Sequence, residues 1–577
     1  MKFMLVAVNA KYIHSNPAIY SLKAYAGPYG KYVDLAEYTI NHEMDDVLKD
    51  IYVRRPDIIG FSCYIWNITF IGNLLYDIQR VLPNTKIWLG GPEVSFDPEK
   101  VMTKFPMVTG VMMGEGEQVF LNLLKHYTEK ELDLCDIRGL AYRNQEGIIR
   151  INAPQPVMDL TDVPFLYSNL EPFENKIIYY ESSRGCPFRC SYCLSSVDKS
   201  VRFRDLEVVK SELAFFLDNK VAQVKFVDRT FNCNRNHGLE IWKYIQEHDN
   251  GITNFHFEVS ADLIQEEELE VLKGMRPGLV QLEIGVQTTN PVTAKEIRRN
   301  AKLKEIKRVV KRINEFENIH QHLDLIAGLP FEDYNSFKNS FNEVYALKPE
   351  QLQLGFLKVL KGSYMYDMVK EYGIAYKNRP PYEVLYTKWI SYEDILRLKS
   401  VEEMLEVYYN SGQFKNTIAY LERGYETPFE LYESLARYYE KNELFHVKHT
   451  RVARYLHLRD FTRQTFPDKM DVIDATLLLD LYLRENVKKR PDFAPDLKLY
   501  KEQIQDFYKK EAEEHKYLRG YESFNSKQLM NMTHIEVFSI NMEHLYKTGE
   551  VKTEEYMLLF DYKHRNPLTY DGITYTL

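Results

Sequence analysis

Three of the six cysteines stand within eight residues, in the order Cys186-Pro-Phe-Arg-Cys190-Ser-Tyr-Cys193. At spacings of four and three on one loop, three thiolates can reach three corners of a cube of iron and sulfide. The fourth iron then has no protein ligand and is open to a small molecule. The same thiolates could instead hold zinc, which needs a fourth Cys or His, and none follows nearer than Cys233. Three unrelated core cysteines would carry no chemistry. Six cysteines in 577 residues are too few for a disulfide framework.

Other candidate residues stand where short apolar runs end in polar or glycine-rich turns, so the elements that position them come next. Within residues 1–130 the runs are KFMLVAV, YVDLAEY, DIIGFSCYI, TKIWLGG and VTGVMM. They end in Asn9, Ser62, Gly90-Gly91-Pro92-Glu93 and Gly114-Glu115-Gly116-Glu117. Parallel neighbours need a crossover helix, so this rhythm predicts a parallel, Rossmann-like sheet of about five strands. Doubly wound sheets bind ligands at the carboxyl edge, where these residues gather. Residues 131–171, with a hairpin signal around Gly147 and prolines at 154, 156 and 164, read as a linker.

From 172 to 395 a second rhythm runs through IIYYESS, QVKFVDRTF, NFHFEVSAD, LVQLEIGVQ, HLDLIAGLP and QLQLGFLKVL. Six βα units predict a partial (β/α)6 barrel related to the TIM barrel, with its chemistry on the loops after the strands. The cysteine loop directly follows the first of them. Residues 396–577 read as a mostly helical domain, helical to about 548 and closing with the strand-like YMLLFDY and ITYTL. The fold class is α/β with this helical domain appended.

Charge excludes a polyanion-seeking body, since 74 basic and 83 acidic residues leave a net charge of −9. Residues 295–312 carry nine basic side chains against Glu296 and Glu305, the pattern of a solvated outer helix, so a nucleic-acid partner is not expected. The opening MKFMLVAVNA breaks at Asn9 and no apolar stretch reaches the ~18 residues of a membrane span. A soluble, cytoplasmic protein without a membrane partner is the expectation.

On the CxxxCxxC loop, the strand before it and the five βα units after it, residues 172–395 resemble the radical S-adenosylmethionine enzymes. The resemblance implies a 4Fe-4S cluster on Cys186, Cys190 and Cys193 whose open iron chelates S-adenosylmethionine. One electron, from a reductant such as flavodoxin or ferredoxin, would cleave the cofactor to methionine and a 5'-deoxyadenosyl radical. By position in the family pattern, Tyr192 would lie beside the adenine and Asp228, in the loop 227–232, at the methionine end. Glu258 and Ser260 would lie near the ribose, and Glu283 and Gln287 on the cofactor strand. Arg299 would reach the cofactor carboxylate, and Gly328 would lie near the adenine.

The glycine loops of residues 1–130 resemble the cobalamin-binding subclass of that family. This implies a corrin on the carboxyl edge, near Asn9, His14, Ser62, Gly90, Gly91, Pro92, Glu93, Gly114, Glu115 and Gly116. The Asp-x-His-x-x-Gly motif that supplies a lower histidine to cobalt is absent; around His14 the pattern is Tyr12-x-His14-x-x-Pro17. Cobalamin without a protein histidine is therefore expected. Residues 64–66 would wall the corrin edge or pack between sheet and helix. The region from about 400 resembles the extension of an uncharacterised cobalamin-type radical subfamily, a domain of unknown function (DUF4080), and names no substrate.

The function implied is radical chemistry with methyl transfer or a related rearrangement. The alternatives are a transfer-RNA methylthiotransferase and a non-catalytic electron carrier. The first needs three further N-terminal cysteines where only Cys63 and Cys135 occur. The second has no use for a barrel with polar strand ends.

Overall fold

The computed structural model describes residues 1–197, 200–487 and 489–577. They form two units. The first is Met1–Phe316 with Ile326–Asp333 and Gly355–Ser391; the second is Glu317–Leu325 with Tyr334–Leu354 and Tyr392–Leu577.

In the first unit the five N-terminal runs become β1 (Phe3–Asn9), β2 (Val33–Thr39), β3 (Ile58–Ser62), β4 (Lys86–Gly90) and β5 (Gly110–Met112). They are parallel neighbours in the order β2-β1-β3-β4-β5. Every residue of β1 is buried, as a strand covered on both faces requires. Met4, Val6 and Val8 pack on one face with Val47, Ile71 and Leu75, while Phe3, Leu5 and Ala7 pack on the other with Val119 and Phe120. The period of two in the pleat produces this split. With β1 beside β3, the crossovers leave in opposite directions and open a crevice at those two carboxyl ends.

The expected linker is partly something else. Its hairpin forms β6 (Leu140–Arg143) and β7 (Ile149–Ile151), which extend the sheet antiparallel from the β5 edge. The Asn144 side chain closes the turn by accepting from the amides of Glu146 and Ile148. The apolar run from Leu140 to Tyr142 is buried, so joining the sheet covers residues that a spacer would have left in water.

The second rhythm gives β8 (Ile178–Tyr180), then the short pair β9 (Ser183–Arg184) and β10 (Arg202–Phe203). It continues with β11 (Gln223–Phe226), β12 (Asn254–Val259), β13 (Val280–Gln287), β14 (His320–Ala327) and β15 (Gln351–Phe356). The sheet order is β15-β14-β13-β12-β11-β8, and β8, β11, β12 and β13 are parallel. All six runs are strands. Along β13, Val280, Leu282, Ile284 and Val286 are buried, which puts Gln281, Glu283, Gly285 and Gln287 together on the other face. The basic helix Leu303–Asn314 buries Ile306, Val309, Val310 and Ile313 and turns Arg308 and Arg312 outward to Glu305, Glu315 and Glu266. A two-stranded pair, β16 (Ala375–Tyr376) and β17 (Val384–Tyr386), also belongs to the first unit, whereas most of β14 and β15 is counted with the second.

The second unit is mainly helical from Tyr392–Leu405 through Lys501–Glu514. It ends in an antiparallel sheet of β18 (Thr533–Ile540), β19 (Thr553–Arg565) and β20 (Gly572–Thr576). Strand β18 lies inside the stretch expected to be helical. Its Ile535, Val537, Phe538 and Ile540 are buried, and β-branched and aromatic residues favour the pleated surface that β19 offers. Among the described residues no helix is long and apolar enough to cross a membrane.

Candidate active site

The cysteines hang from a ribbon. Strand β9 pairs with β10, so the chain between Arg184 and Arg202 is closed at its base. Asp228, after β11, anchors that base: it is fully buried and accepts from the Ser182 amide at 2.8 Å, the Ser182 hydroxyl at 2.6 Å and the Ser183 hydroxyl at 2.7 Å. Burial pushes its carboxyl up to about 6. Both Asp228 oxygens are thus engaged in holding the loop, and this is where the structure places a residue expected at the methionine end. The loop itself is pinned by the Ser191 amide on the Ile297 carbonyl at 2.9 Å and by a Cys193-to-Cys190 backbone turn at 3.1 Å.

Cys186 and Cys190 are buried and Cys193 is partly buried, all as free thiols. Burial raises the Cys186 thiol, and Cys193 and Cys190 add to the effect, so the three sulfurs share one electrostatic neighbourhood. A cation there would reverse that penalty, since a metal-bound thiol is deprotonated outright. Cys233 is nearer than its sequence distance suggests: burial pushes its thiol up to about 11, with Cys186 and Asp228 adding to it.

Arg299 and Gln287 lie on the same side. An Arg299 guanidinium nitrogen donates to the Gly285 carbonyl, and Nη1 lies 3.8 Å from Cys190 Sγ. Among the described residues its Nε is buried without a partner, as is Gln287 Oε1. Gln287 is held at φ 72°, a left-handed conformation that costs a non-glycine residue energy. Buried polar atoms left open in this way imply a missing partner. Tyr192 completes the group: burial raises its hydroxyl, with Cys190 as the nearest negative influence and Arg299 opposing it.

The remaining barrel candidates are distributed differently. Glu283 sits 3.2 Å from Lys225 and 3.1 Å from His256, a charged layer deeper on the same strand as Gln287. Glu258 is half-buried on β12. Ser260 is tied down, its amide donating to Asn232 and its hydroxyl to Asp262. Gly328, at φ +86°, faces β17: a Cβ there would come within 2.7 Å of Val384, so the close approach made at this glycine is by another strand.

At the edge of the first sheet, a cavity of about 560 Å³ is lined by Ser62, Gly90, Gly91, Pro92, Gly114, Glu115 and Gly116. Gly91 is required twice over, because its φ is +107° and a Cβ would lie 2.5 Å from the Cys63 carbonyl oxygen. The connector at 163–167 and Tyr179, Tyr180, Glu181 and Arg184 also line the cavity, residues that sequence reasoning missed. Tyr64 lines the cavity and stacks on Trp66 at 4.4 Å.

Asn9, His14 and Glu93 are not among the lining residues. Asn9 bonds the His14 carbonyl and Glu37. His14 Nδ1 is 2.6 Å from the Tyr179 hydroxyl. Glu93 is engaged by Tyr382 and Lys361.

The GEGE loop lines the cavity and also makes ion pairs. Glu115 pairs with Arg184 at 3.5 Å and Arg202 at 2.6 Å, and Glu117 pairs with Arg184 at 2.9 Å. This cluster joins the first sheet's edge to the ribbon that carries the cysteines. The signal available in sequence was two acids in one loop and two arginines flanking the cysteines.

Residues 4–124 match the family described as B12 binding domain, residues 180–344 the radical SAM superfamily, and residues 370–560 a protein family of unknown function, DUF4080. This chain joins a B12-binding domain to a radical SAM domain. A 4Fe-4S cluster, S-adenosylmethionine and cobalamin are the groups such domains hold.

Similar proteins include an uncharacterized methyltransferase of Pyrococcus horikoshii, 25% identical over 61% of this chain and 77% of that protein. The cobalamin-dependent radical SAM methyltransferase TokK of Streptomyces tokunonensis is 25% identical over 56% of this chain and 50% of its own length. Among solved structures, the cobalamin-dependent radical enzyme OxsB with aqua-cobalamin and S-adenosylmethionine bound aligns with a TM-score of 0.60 at 14% identity, covering 84% of this chain and 82% of that one. The residues present fit the groups. In the radical SAM domain, Arg299 Nη1 lies 3.8 Å from Cys190 Sγ, and Arg299 Nε and Gln287 Oε1 are buried with no partner among the described residues. In the B12-binding domain, glycine positions cradle a cavity, and a Cβ on Gly114 would meet nothing within 4 Å.

Proposed function

We propose that the chain is a cobalamin-dependent radical S-adenosylmethionine methyltransferase. The observation that carries this reading is the shared cavity: the glycine loops of the B12-binding sheet and the strand that leads into the cysteine loop line one space. When bound, the cluster and S-adenosylmethionine supply a substrate radical and cobalamin supplies the methyl group.

The chain's own residues divide the remaining work. Cys186, Cys190 and Cys193 hold the cluster. Arg299, fixed on the Gly285 carbonyl, offers its remaining donors to the cofactor carboxylate, and Gln287 Oε1 accepts from a cofactor amine or hydroxyl. Tyr192 covers the adenine side. Ser62, Gly90, Gly91, Pro92, Gly114 and Gly116 let the corrin and its tail approach backbone. Glu115 and Asp228 act by positioning, the first on Arg184 and Arg202 and the second on Ser182 and Ser183. His14 does not line the cavity, which supports a cobalt without a protein histidine. The enzyme works in the cytoplasm with flavodoxin or ferredoxin as reductant. The methylthiotransferase and carrier alternatives are not favoured: a B12-binding domain stands where the former would carry a second cluster, and Cys63 is buried while Cys135 is exposed.

The test is cobalt and iron analysis of anaerobically purified protein supplied with hydroxocobalamin. Wild type should hold cobalamin, and Gly91→Val should lose it while keeping iron. Full cobalamin retention in Gly91→Val would overturn the placement of the corrin, and no uptake by wild type would overturn the function.

A further inference from the structure

The helical unit carries a histidine pattern that the active site does not use, His446-x-x-His449 followed by His457. His449 and His457 are half-buried, with ring centroids 4.6 Å apart and His457 Nε2 3.2 Å from His449 Nδ1. The other nitrogen of His449, Nε2, lies 2.7 Å from the Leu444 carbonyl oxygen. A carbonyl only accepts, so in neutral His449 that nitrogen carries the proton and Nδ1 presents a lone pair toward His457. Metal-ligating histidines are oriented in this manner, one nitrogen on a backbone carbonyl and the other on the ion. The spacing agrees: with zinc–nitrogen bonds of about 2.0–2.1 Å, two ligands of a tetrahedron are about 3.3 Å apart.

The pair rests on a rigid aromatic floor. Tyr439 meets both imidazoles edge-on, at 6.1 and 6.0 Å with interplanar angles of 84° and 73°. Its hydroxyl is 2.6 Å from that of Tyr408, which also reaches the Arg454 carbonyl at 3.3 Å. Glu403, on the helix Tyr392–Leu405, interacts electrostatically with Arg454, His449 and His446. Glu403 and His446 are both exposed.

We propose a divalent-metal site of the zinc type, with His449 and His457 as fixed ligands and Glu403 and His446 as arms that close around the ion. On binding, His457 shifts its ring proton to Nδ1 so that Nε2 can donate its lone pair. A closed four-ligand site of this kind is structural: it ties the turn before helix Arg451–Thr465 to helix Tyr392–Leu405 and takes no part in the radical chemistry.

Equilibrium dialysis of the full-length, cluster-loaded protein against zinc, after chelator treatment, tests this. One zinc per chain should be retained, it should persist when Cys186, Cys190 and Cys193 are all changed to Ser, and it should vanish in His449→Ala. Glu403→Gln should weaken binding by at least about tenfold. His457→Gln keeps a side-chain amide able to donate to His449 Nδ1, so it preserves a plain hydrogen bond and the fold; it should still lose zinc while circular dichroism is unchanged. Zinc absent from wild type, unchanged in His457→Gln, or lost with the cysteines would overturn the site and leave a hydrogen-bonded histidine pair.

Discussion

Arg299 makes one bond to the Gly285 carbonyl, turns a second nitrogen toward Cys190 and keeps its Nε buried with no partner among the described residues. If those donors meet the cofactor carboxylate, Arg299→Ala removes hydrogen bonds to a charged group, worth about 1.5–3 kcal/mol or roughly ten- to hundredfold in affinity. Equilibrium dialysis with S-adenosylmethionine should show that weakening with iron content unchanged; unaltered affinity would remove Arg299 from the cofactor site. At this scale the sequence was partly legible. The spacing of Cys186, Cys190 and Cys193 pointed to three thiols acting together, and the fold does bring them into one neighbourhood; a strand end and the turn after it pointed to Gln287 and Arg299, which lie together beside Gly285. Asp228 and Gly328 looked equivalent by position, yet one is saturated by two serines and the other is packed on Val384. Strand position places a residue near the mouth but does not say which neighbour reaches it first.

Between elements, Arg184 is the joint that links the first sheet to the ribbon of the cysteine loop. Burial acts to raise the Glu117 carboxyl, but Arg184 outweighs it and holds the group below its usual range. Its contribution to stability is therefore present above the ordinary carboxylate pKa and is lost as pH falls through the lowered value. Arg184→Ala leaves Glu117 buried without its cation, a defect that typically costs about 3–5 kcal/mol. Amide exchange in β8 should accelerate markedly, whereas unchanged protection would show that the ion cluster is incidental. In the second unit the sign is opposite. Asp480 is buried, caps the helix Lys415–Leu421 through Asn416 and Thr417, and is pushed up to about 6 by burial. The folded state then binds this proton more tightly than the unfolded chain, so stability falls as pH rises from about 4 to about 6, by about 3 kcal/mol for a shift of this size. Asp480→Asn should flatten that pH dependence in the amide protection of this helix; a parallel fall in the variant would assign it to another group. The hairpin of β6 and β7 and strand β18 show why elements were read less surely than residues. Both are short apolar segments whose partners, β5 and β19, are set by tertiary pairing that periodicity does not encode.

For the whole molecule, the rhythm of apolar runs was enough to foresee two parallel sheets in succession, because crossover spacing is a property of the backbone. It did not foresee that the connector would supply part of the cavity wall at 163–167, since proline-punctuated segments look like spacers whether or not they are packed. This assembly places a B12-binding domain and a radical SAM domain in one chain. The most direct measurement is chromatography of an anaerobic reaction containing the cluster-loaded, cobalamin-loaded chain, S-adenosylmethionine and dithionite. We expect 5'-deoxyadenosine from wild type and none from Cys186→Ala, Cys190→Ala or Cys193→Ala. Wild-type protein with an intact cluster and bound cobalamin that yields no 5'-deoxyadenosine would contradict the assignment of this chain as a radical S-adenosylmethionine enzyme.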